Sequence, residues 1–335
     1  MGTRLAGVAV HLPERRVSSA DVEGRVGATS AAFTPPPGLI RRLTGIESRH
    51  MMDDDEQASE LAVAAARKLL ADTGTPVEEI DLLIFASASQ DMVEPATAHI
   101  VAAKLKLTCP VMDVKNACNS VLNGIEVADA LITSGRYRQV LVVSGEAPSR
   151  AVRRGVGSLA GQLRAFPGYT LSDGGAAMLL TADAPPGTGV LATAFTADSW
   201  HWEAGTLAAG GSRHPREVEH TYFAMDGARL KVAFLAVGTG ILDPTLTRLG
   251  LGWTDLAVVG VHQVSLPYVE VFAERAGVPA GRLVITVAEH GNVASVSLPL
   301  QLATAAAHGR CGPGDLVALV GLAGGVSPGI AVLGL

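Results

Sequence analysis

Two segments of this chain, one in each half, repeat the same landmarks at the same separations. Each begins with the pattern of a buried strand, reaches a polar residue where a helix is predicted to start, and ends at a Gly-Arg pair. The landmarks are Asp81, Cys118 and Gly135 in the first segment, and Asp255, Asn292 and Gly309 in the second. Such self-similarity indicates a duplicated unit with Cys118 and Asn292 as equivalent positions. Halves packed about a pseudo-twofold axis would bring both residues to one central pocket, which we predict to be a functional site.

Length and composition fit a compact duplicated fold. The 335 residues are 48% hydrophobic and only 17% charged, and we predict halves at 1–180 and 181–335. A formal charge of −6 argues against a nucleic-acid partner, which would need a basic face. We expect no membrane insertion, because no apolar run reaches the length of a span and the N-terminus shows no signal-peptide core. Three cysteines without metal-ligand spacing indicate a reducing, cytoplasmic location and no bound metal.

Strand patterns alternate with helix patterns along the chain, which predicts an α/β fold with sheets covered on both faces. Two similar halves predict layers of helix and sheet with a pair of helices in the middle. The predicted strands are 4–10, 81–88, 111–114, 140–144, 176–180, 256–261, 283–287 and 316–321. The predicted helices are 56–70, 97–105, 227–239, 267–276 and those that follow Cys118 and Asn292. The least regular segments are 149–172 and 196–221, and such loops often carry entrances or partner contacts.

Cys118 lies between a short strand pattern and a helix pattern, in the segment 116–120 (Asn-Ala-Cys-Asn-Ser). A thiol at a helix N-terminus meets the positive end of the helix dipole and unpaired backbone donors, which favour the thiolate. The same donors can form an oxyanion hole for a thioester carbonyl. A buried structural cysteine explains the position about as well, because free cysteines are among the most buried residues.

Two further candidates follow in the second half. His262 lies at the carboxyl end of the strand pattern 256–261, where open α/β sheets present their sites. A histidine satisfied within the core is the alternative, and it is favoured for His262 taken alone. Asn292 also fits the N-cap of the next helix. Together with Cys118 they supply a nucleophile, a base and an amide donor, which are the parts of a thioester site.

The segment 321–329 (Gly-Leu-Ala-Gly-Gly-Val-Ser-Pro-Gly) is too rich in glycine for ordinary packing. Glycines let the backbone approach a ligand or another part of the chain closely. The segment lacks the Lys-Ser/Thr of a phosphate loop and does not fit G-x-G-x-x-G, so we reject a nucleotide site here.

Several stretches, in chain order, resemble the thiolase superfamily and, within it, the β-ketoacyl-acyl-carrier-protein synthase III enzymes. They are 12–14, 44–49, 113–118, 172–177, 261–263, 289–292 and 321–329. The resemblance implies a thiolase fold of five αβαβα layers, a homodimer, no cofactor, and acyl-coenzyme A or acyl-carrier-protein thioesters as substrates. It implies that Cys118 is acylated, with His262 and Asn292 stabilising the enolate and oxyanion of a Claisen condensation. The backbone amides of Cys118 and of Gly325 or a neighbour would form the oxyanion hole.

The chain departs from the fatty-acid initiators of this family where they bind the acyl donor. Leu39 and Leu43 stand where those enzymes usually carry a Trp and an Arg that clamp coenzyme A, and Pro267 replaces an arginine used for the carrier protein. These replacements argue against a housekeeping role in initiation. Three other basic residues are candidates for binding either carrier, although they fit a solvated surface equally well: Arg154, Arg229 and Lys231.

Glu94 precedes a helix pattern, in the segment 93–98 (Val-Glu-Pro-Ala-Thr-Ala). Initiating enzymes tend to have an aromatic residue here. The segment is similar to Glu-Pro-Ala/Ser-Thr in the subgroup that joins two acyl thioesters without decarboxylation, in olefin and β-lactone biosynthesis. In that subgroup the glutamate reaches into the partner subunit's pocket as general base, which a plain acyl thioester requires. Alternatively, Glu94 only complements the dipole of the helix that follows it.

The lead hypothesis is a condensing acyltransferase of secondary lipid or polyketide metabolism, which joins two acyl thioesters into a β-ketoacyl product. A second hypothesis keeps the acylation of Cys118 but uses a malonyl-type extender, or transfers the acyl group to an alcohol or amine. A third is a non-catalytic subunit of a heterodimer, against which the retained Cys118, His262 and Asn292 argue. A cysteine hydrolase would need a carboxylate to orient His262, and none lies near it in sequence.

Overall fold

The computed structural model describes residues 2–30 and 34–335. The helices of this part are α1 Ser19–Thr29, α2 Leu39–Thr44, α3 Ala58–Thr73, α4 Thr97–Leu105, α5 Ser120–Thr133, α6 Leu159–Ala165, α7 Gly227–Val237, α8 Leu242–Arg248, α9 Leu266–Ala276, α10 Val287–His290 and α11 Ser297–Ala307. Its strands are β1 Arg4–His11, β2 Arg16–Ser18, β3 Ser48–His50, β4 Leu82–Ala86, β5 Val111–Val114, β6 Gln139–Glu146, β7 Gly174–Thr181, β8 Gly189–Phe195, β9 Gly205–Thr206, β10 Ala224–Met225, β11 Val258–Val261, β12 Leu316–Ala323 and β13 Ser327–Gly334.

Two mixed sheets form the framework. Sheet I has five strands in the order β1-β7-β6-β4-β5, and sheet II has four in the order β11-β12-β13-β8. β4 runs parallel to β5 and β6, and β11 runs parallel to β12, whereas the other neighbours are antiparallel. Sheet I uses strands up to Thr181 and sheet II uses strands from Gly189 onward. The division of the chain at 180/181 stays a prediction.

The two sheets enclose a central layer made by α5 and α11. Because successive side chains of a strand point to opposite faces, Leu82 and Ile84 of sheet I face this layer. They share one core with Ile125 of α5, Leu298 of α11 and Leu319 of sheet II. The outer face of sheet I packs against α3 and α4, and the outer face of sheet II packs against α8 and α9. This order of layers is the five-layered αβαβα thiolase fold that the resemblance implies.

The helices α5 and α11 end where the sequence predicts. α5 ends at Thr133 and α11 at Ala307, and the glycines that follow adopt left-handed φ angles, 76° at Gly135 and 66° at Gly309. Glycine suits this conformation because it has no Cβ. The two Gly-Arg pairs therefore mark the ends of equivalent helices.

The starts of these helices differ from the predicted equivalence of Cys118 and Asn292. A left-handed alanine precedes each helix, Ala117 with φ 45° and Ala294 with φ 47°. Cys118 follows the first alanine and Ser295 follows the second, so Ser295 is the backbone counterpart of Cys118. The spacing misleads because α5 has 14 residues and α11 has only 11.

Most predicted elements are present within a few residues, but the strand at 283–287 is wrong. Only Leu283 pairs there, in an isolated bridge to Val259, and α10 begins at Val287. Neither β8 nor β13 is predicted from the sequence. In β13, Pro328 and two glycines disfavour a strand. β13 forms because it pairs with β12 on one side and with β8 on the other.

One segment contradicts the statement that no apolar run is long enough for a membrane span. Within the described residues, the segment 227–248 is long and apolar enough to cross a membrane, judged by length and composition alone. The chain nevertheless leaves the helix between α7 and α8, at 238–241. Charged side chains are costly inside a bilayer, and the segment carries four: Arg229, Lys231, Asp243 and Arg248. The segment is therefore weak evidence for a span.

Candidate active site

Cys118 lies in a tight turn between β5 and α5. The left-handed φ of Ala117, 45°, costs roughly 1–3 kcal/mol in a residue other than glycine. Ser120 holds the turn, because its Oγ accepts from the N–H of Asn116 at 2.9 Å and donates to the carbonyl of Ala117 at 2.7 Å. The turn presents the sulfur at the start of α5, as the sequence predicts.

The hairpin formed by β12 and β13 packs against this turn. Asn119 is fully buried, and its Nδ2 donates to the carbonyl of Ser327. Gly321 permits this approach, because a Cβ at that position would collide with Oδ1 of Asn119. The glycine-rich segment thus lets another part of the chain approach closely. The sequence predicts a close approach either to a ligand or to another part of the chain, and this contact is the second of these.

Two backbone N–H groups lie near the sulfur of Cys118. They belong to Cys118 itself and to Gly324, and both favour a negative charge on the sulfur. The sequence suggests Gly325 or a neighbour as the second donor of an oxyanion hole. Gly324 is the neighbour that lies near the sulfur, and its role as a donor stays a prediction. Gly325 instead forms the hairpin turn with a left-handed φ of 83°. These two N–H groups are therefore the candidates for the oxyanion hole.

The resting Cys118 is nevertheless a thiol. Burial and, to a smaller degree, the carboxylate of Glu146 raise the pKa of Cys118 to about 12. The prediction of a favoured thiolate is therefore wrong for the free enzyme. The helix dipole and the two donors do not offset the loss of water around the sulfur.

Glu146 is a buried residue that sequence reasoning missed. It ends β6 and is 0% exposed. Its carboxylate accepts from the N–H groups of Ala88 at 2.8 Å and Ser89 at 3.1 Å, from Oγ of Ser89 at 2.9 Å, and from Oγ of Ser295. It thereby ties the loop between β4 and α4 to the turn before α11. No local pattern signals this role, because all of its partners are distant in sequence.

Replacing Glu146 by Gln is expected to lower the pKa of the Cys118 thiol, because the carboxylate is one cause of its rise. Burial persists, so the pKa should stay above its ordinary value. Alkylation by iodoacetamide at neutral pH should therefore be faster, by roughly three- to fourfold per unit of pKa shift, because the thiolate fraction rises while each thiolate becomes less nucleophilic. Mass spectrometry of the peptide that contains Cys118 gives the rate.

Glu126→Gln is the matched control for this experiment. Glu126 lies on α5 and is half-buried, and its Oε1 accepts from Thr193 at 3.3 Å. It is not among the charges that act on the thiol of Cys118. Equal acceleration in both variants, or none with Glu146→Gln, would contradict the assignment.

His262 follows β11 at its carboxyl end, as predicted, and is only 2% exposed. Its N–H donates to the carbonyl of Val320 at 2.8 Å. Neither ring nitrogen has a hydrogen-bond partner among the described residues. Burial lowers the pKa of His262 to about 4, so the imidazole is neutral at pH 7. A buried imidazole without partners is not the satisfied core histidine of the alternative explanation.

Asn292 is held mainly by its backbone. Its N–H donates to Thr170 at 2.8 Å, and its carbonyl accepts from Ser172 at 2.9 Å. The side-chain Oδ1 accepts from the N–H of Ala294, two residues on, at 3.1 Å, which closes an Asx turn. Nδ2 donates to no group in the part of the chain that the structure describes. One end of the amide therefore holds the local turn, and the other end remains free to donate. The N-cap of α11 is Val296, so the alternative that Asn292 caps the next helix is wrong.

Glu94 is exposed to solvent in the loop between β4 and α4. Its neighbours Met92 and Val93 are apolar yet 49% and 65% exposed. The strand β5 after this region is an edge of sheet I. An unpaired strand edge beside exposed apolar side chains is typical of a contact between chains.

The basic candidates lie in two places. Arg229 and Lys231 are exposed on α7, where Arg229 is 3.8 Å from Glu203. Arg154 is half-buried, and burial followed by the charges of Arg25 and Arg15 lowers the pKa of Arg154. Within the described residues, no group of three His, Cys, Asp or Glu side chains is arranged to hold a metal ion. The cysteines are free thiols.

Curated relatives match the chain almost from end to end. Residues 112–199 match the family model of 3-oxoacyl-[acyl-carrier-protein] synthase III, and 246–335 match the model of its C-terminal part. The β-ketoacyl-[acyl-carrier-protein] synthase III of Rhodobacter capsulatus is 34% identical over 340 residues, 98% of this chain and 97% of that protein. The enzyme of the same name from Rhodospirillum rubrum is 33% identical over 345 residues, 99% and 98% of the two chains.

Solved structures share the fold. A histidine-to-alanine variant of OleA from Xanthomonas campestris has a TM-score of 0.89 and 25% identity, covering 100% of this chain and 99% of that one. Cerulenin-bound OleA has a TM-score of 0.86 and 26% identity, with coverage of 100% and 97%. A 3-oxoacyl-(acyl-carrier-protein) synthase III has a TM-score of 0.90 at 22% identity and full coverage of both chains, which shows the fold alone. The chain is therefore a condensing acyltransferase of the thiolase superfamily and belongs to the β-ketoacyl-acyl-carrier-protein synthase III family.

Proposed function

We propose that this enzyme joins two acyl thioesters into a β-ketoacyl product without decarboxylation, by a Claisen condensation in secondary lipid or polyketide metabolism. The observation that carries the proposal is Glu94, a solvent-facing carboxylate between apolar neighbours and beside the free edge of β5. If a second copy of the chain packs on this surface, the carboxylate of Glu94 would enter the thioester site of that second copy. The proposal therefore includes a homodimer.

The first half-reaction loads an acyl group on Cys118. The sulfur attacks the thioester carbonyl, and the N–H groups of Cys118 and Gly324 stabilise the oxyanion. Because the pKa of the thiol is about 12 and that of His262 is about 4, no preformed thiolate–imidazolium pair is available. The thiol therefore loses its proton as the C–S bond forms, and that proton leaves on the thiol of the departing carrier.

The second half-reaction forms the carbon–carbon bond. A base removes the α-proton of the second acyl thioester, and we assign this step to Glu94 of the partner copy. His262 and Nδ2 of Asn292 are the donors we assign to the enolate oxygen; a neutral imidazole can donate through one ring nitrogen. The enolate then attacks the acyl carbon and expels the sulfur of Cys118, which regains a proton.

The acyl groups would arrive on coenzyme A or on acyl carrier protein. We assign contacts with the carrier phosphates to the exposed Arg229 and Lys231 and to Arg154, because guanidinium and ammonium groups suit phosphate oxygens. No step of the scheme requires a cofactor. A cytoplasmic location stays a prediction.

A product assay tests the function. The purified protein is incubated with one long-chain acyl-coenzyme A and no malonyl donor, and the products are read by mass spectrometry. We expect a two-chain β-keto acid or the ketone formed by its decarboxylation. The Cys118→Ala protein, treated identically, is the control. Acylated Cys118 without a condensed product would instead favour a malonyl-type extender, or an alcohol or amine acceptor.

Decarboxylative condensation is the second candidate. Loss of carbon dioxide from a malonyl group produces the enolate without a base, so the donors His262 and Asn292 would suffice. The observation in its favour is that His262 and Asn292 belong to the same chain as Cys118, whereas Glu94 faces solvent and reaches a site only when a second copy is bound. A non-catalytic subunit is disfavoured because neither ring nitrogen of the buried His262 has a hydrogen-bond partner among the described residues, which leaves both free to contact a substrate.

A further inference from the structure

A cavity of about 310 Å³ lies between α7, α9 and the outer face of sheet II. Its size is at the lower end of the range for small-molecule sites. Cys118, His262, Asn292 and Glu94 do not line it, but Lys231, which we assign to the carrier phosphates, and Pro267 do. Most of its wall is apolar, with these principal contributors: Phe234, Leu235, Tyr268, Val271, Phe272 and Val320.

The cavity exists because α7 is poorly packed. Although the helix is largely apolar, only Ala233 is buried, and Val232 is 65% exposed. An apolar helix normally buries one face against the protein. Here the face of α7 that is turned toward α9 borders the cavity. A ligand in the cavity would bury apolar surface, which is favourable.

The charged residues at the cavity have one sign. Lys231 of α7 and Arg275 of α9 both line it, and no acidic residue does. Both side chains are exposed, and neither forms an ion pair with another described residue. An apolar wall with two unpaired cations complements an alkyl chain that ends in an anion.

The cavity lies behind elements of the catalytic site. Val320, one of its wall residues, accepts the backbone hydrogen bond of His262 at 2.8 Å. Leu322 and Pro328, also in the wall, belong to the hairpin whose turn contains Gly324. A ligand in the cavity would therefore contact the back of the strands that hold these groups.

We propose that this cavity binds a free medium-chain fatty acid such as dodecanoate, with its alkyl chain against the apolar wall and its carboxylate at Lys231 and Arg275. This site shares Lys231 with the carrier contacts assigned above, so the acid and a carrier phosphate would compete for that side chain. The site does not depend on the proposed condensation. It would give the enzyme a place to bind a free acid of the same chemical class as its acyl groups.

Isothermal titration calorimetry with dodecanoate tests the site. Leu235→Trp fills the cavity and is expected to weaken binding by about tenfold or more. Val232→Trp is the matched control, because it makes a similar enlargement on the same helix but outside the cavity. Val271→Trp fills the cavity from α9 and should repeat the effect if Leu235→Trp impairs folding. Dodecanoate binding that is unaffected by the filling variants, or equally weakened by Val232→Trp, would place the acid elsewhere and overturn the proposal.

The role of charge is tested with Arg275→Gln. We expect it to weaken dodecanoate binding by roughly three- to tenfold and to leave the binding of uncharged dodecanol unchanged. Arg248→Gln on α8, which does not line the cavity, should change neither. Equal weakening of acid and alcohol by Arg275→Gln would refute the assigned carboxylate position. Binding only of dodecanoyl-coenzyme A, and not of dodecanoate, would reject the free acid as the ligand.

Discussion

Replacing Cys118 by Ala should abolish both the acyl-enzyme and every condensed product. The sulfur is the only group in the proposed scheme that carries the acyl chain, so no slower route through the same intermediate remains. The loss should be at least about a thousandfold, as for removal of other catalytic nucleophiles. Intact-protein mass spectrometry after incubation with acyl-coenzyme A should show one added acyl group on the native protein and none on the variant.

Cys311→Ala is the matched control, because it makes the same substitution at another thiol. Cys311 is 6% exposed and packs in the central core, and burial raises the pKa of Cys311 as it does that of Cys118. What separates the two thiols is the pair of backbone donors at Cys118. Cys311→Ala should keep full acylation. Full acylation of Cys118→Ala would remove Cys118 as the nucleophile.

The positions of the candidate residues are largely predictable, because local patterns set them. A strand pattern that ends at Val261 fixes His262 at a carboxyl edge, and the strand-turn-helix pattern fixes Cys118 at a helix start. What surrounds them is not local. Glu146 meets Ala88 across 58 residues and Ser295 across 149 residues, and no window of sequence contains such pairs.

The same distinction explains the errors. Helix position suggests a low pKa for Cys118, but burial by distant segments raises it. Glycines and Pro328 suggest that β13 should not form, but pairing on both sides offsets their poor propensity. Duplication predicts the layers of the fold correctly, whereas the shorter α11 shifts the equivalence from Asn292 to Ser295.

Glu94→Gln is expected to stop the condensation of two plain acyl thioesters while Cys118 still becomes acylated. An amide cannot remove an α-proton, and loading requires no such step. The condensation rate should fall by about 100-fold or more, the usual contribution of a general base. Acyl-enzyme is measured by intact mass and product by mass spectrometry. Unchanged turnover would contradict the role of Glu94 as base and would leave the alternative, in which Glu94 only complements the dipole of α4.

A malonyl thioester separates a chemical role of Glu94 from a structural one. Its decarboxylation supplies the enolate directly, so any residual condensation with this extender should be equal in Glu94→Gln and the native protein. A variant that is impaired with both substrates would instead have a disturbed loop between β4 and α4. Glu146 anchors this loop through Ser89, which makes the control necessary.

Mixing two inactive variants shows which subunit supplies the base. A heterodimer of Cys118→Ala and Glu94→Gln chains has one site with an intact Cys118 and, if Glu94 acts across the interface, an intact Glu94 from its partner. Random exchange makes half of the dimers mixed, and each mixed dimer has one complete site. The mixture should therefore regain about a quarter of the native activity. If Glu94 acts within its own chain, every site lacks one residue and the mixture stays inactive. Recovery would thus establish that the enzyme is a dimer and that Glu94, on the exposed loop beside β5, completes the partner's site. The comparison with the malonyl extender then assigns it the role of base.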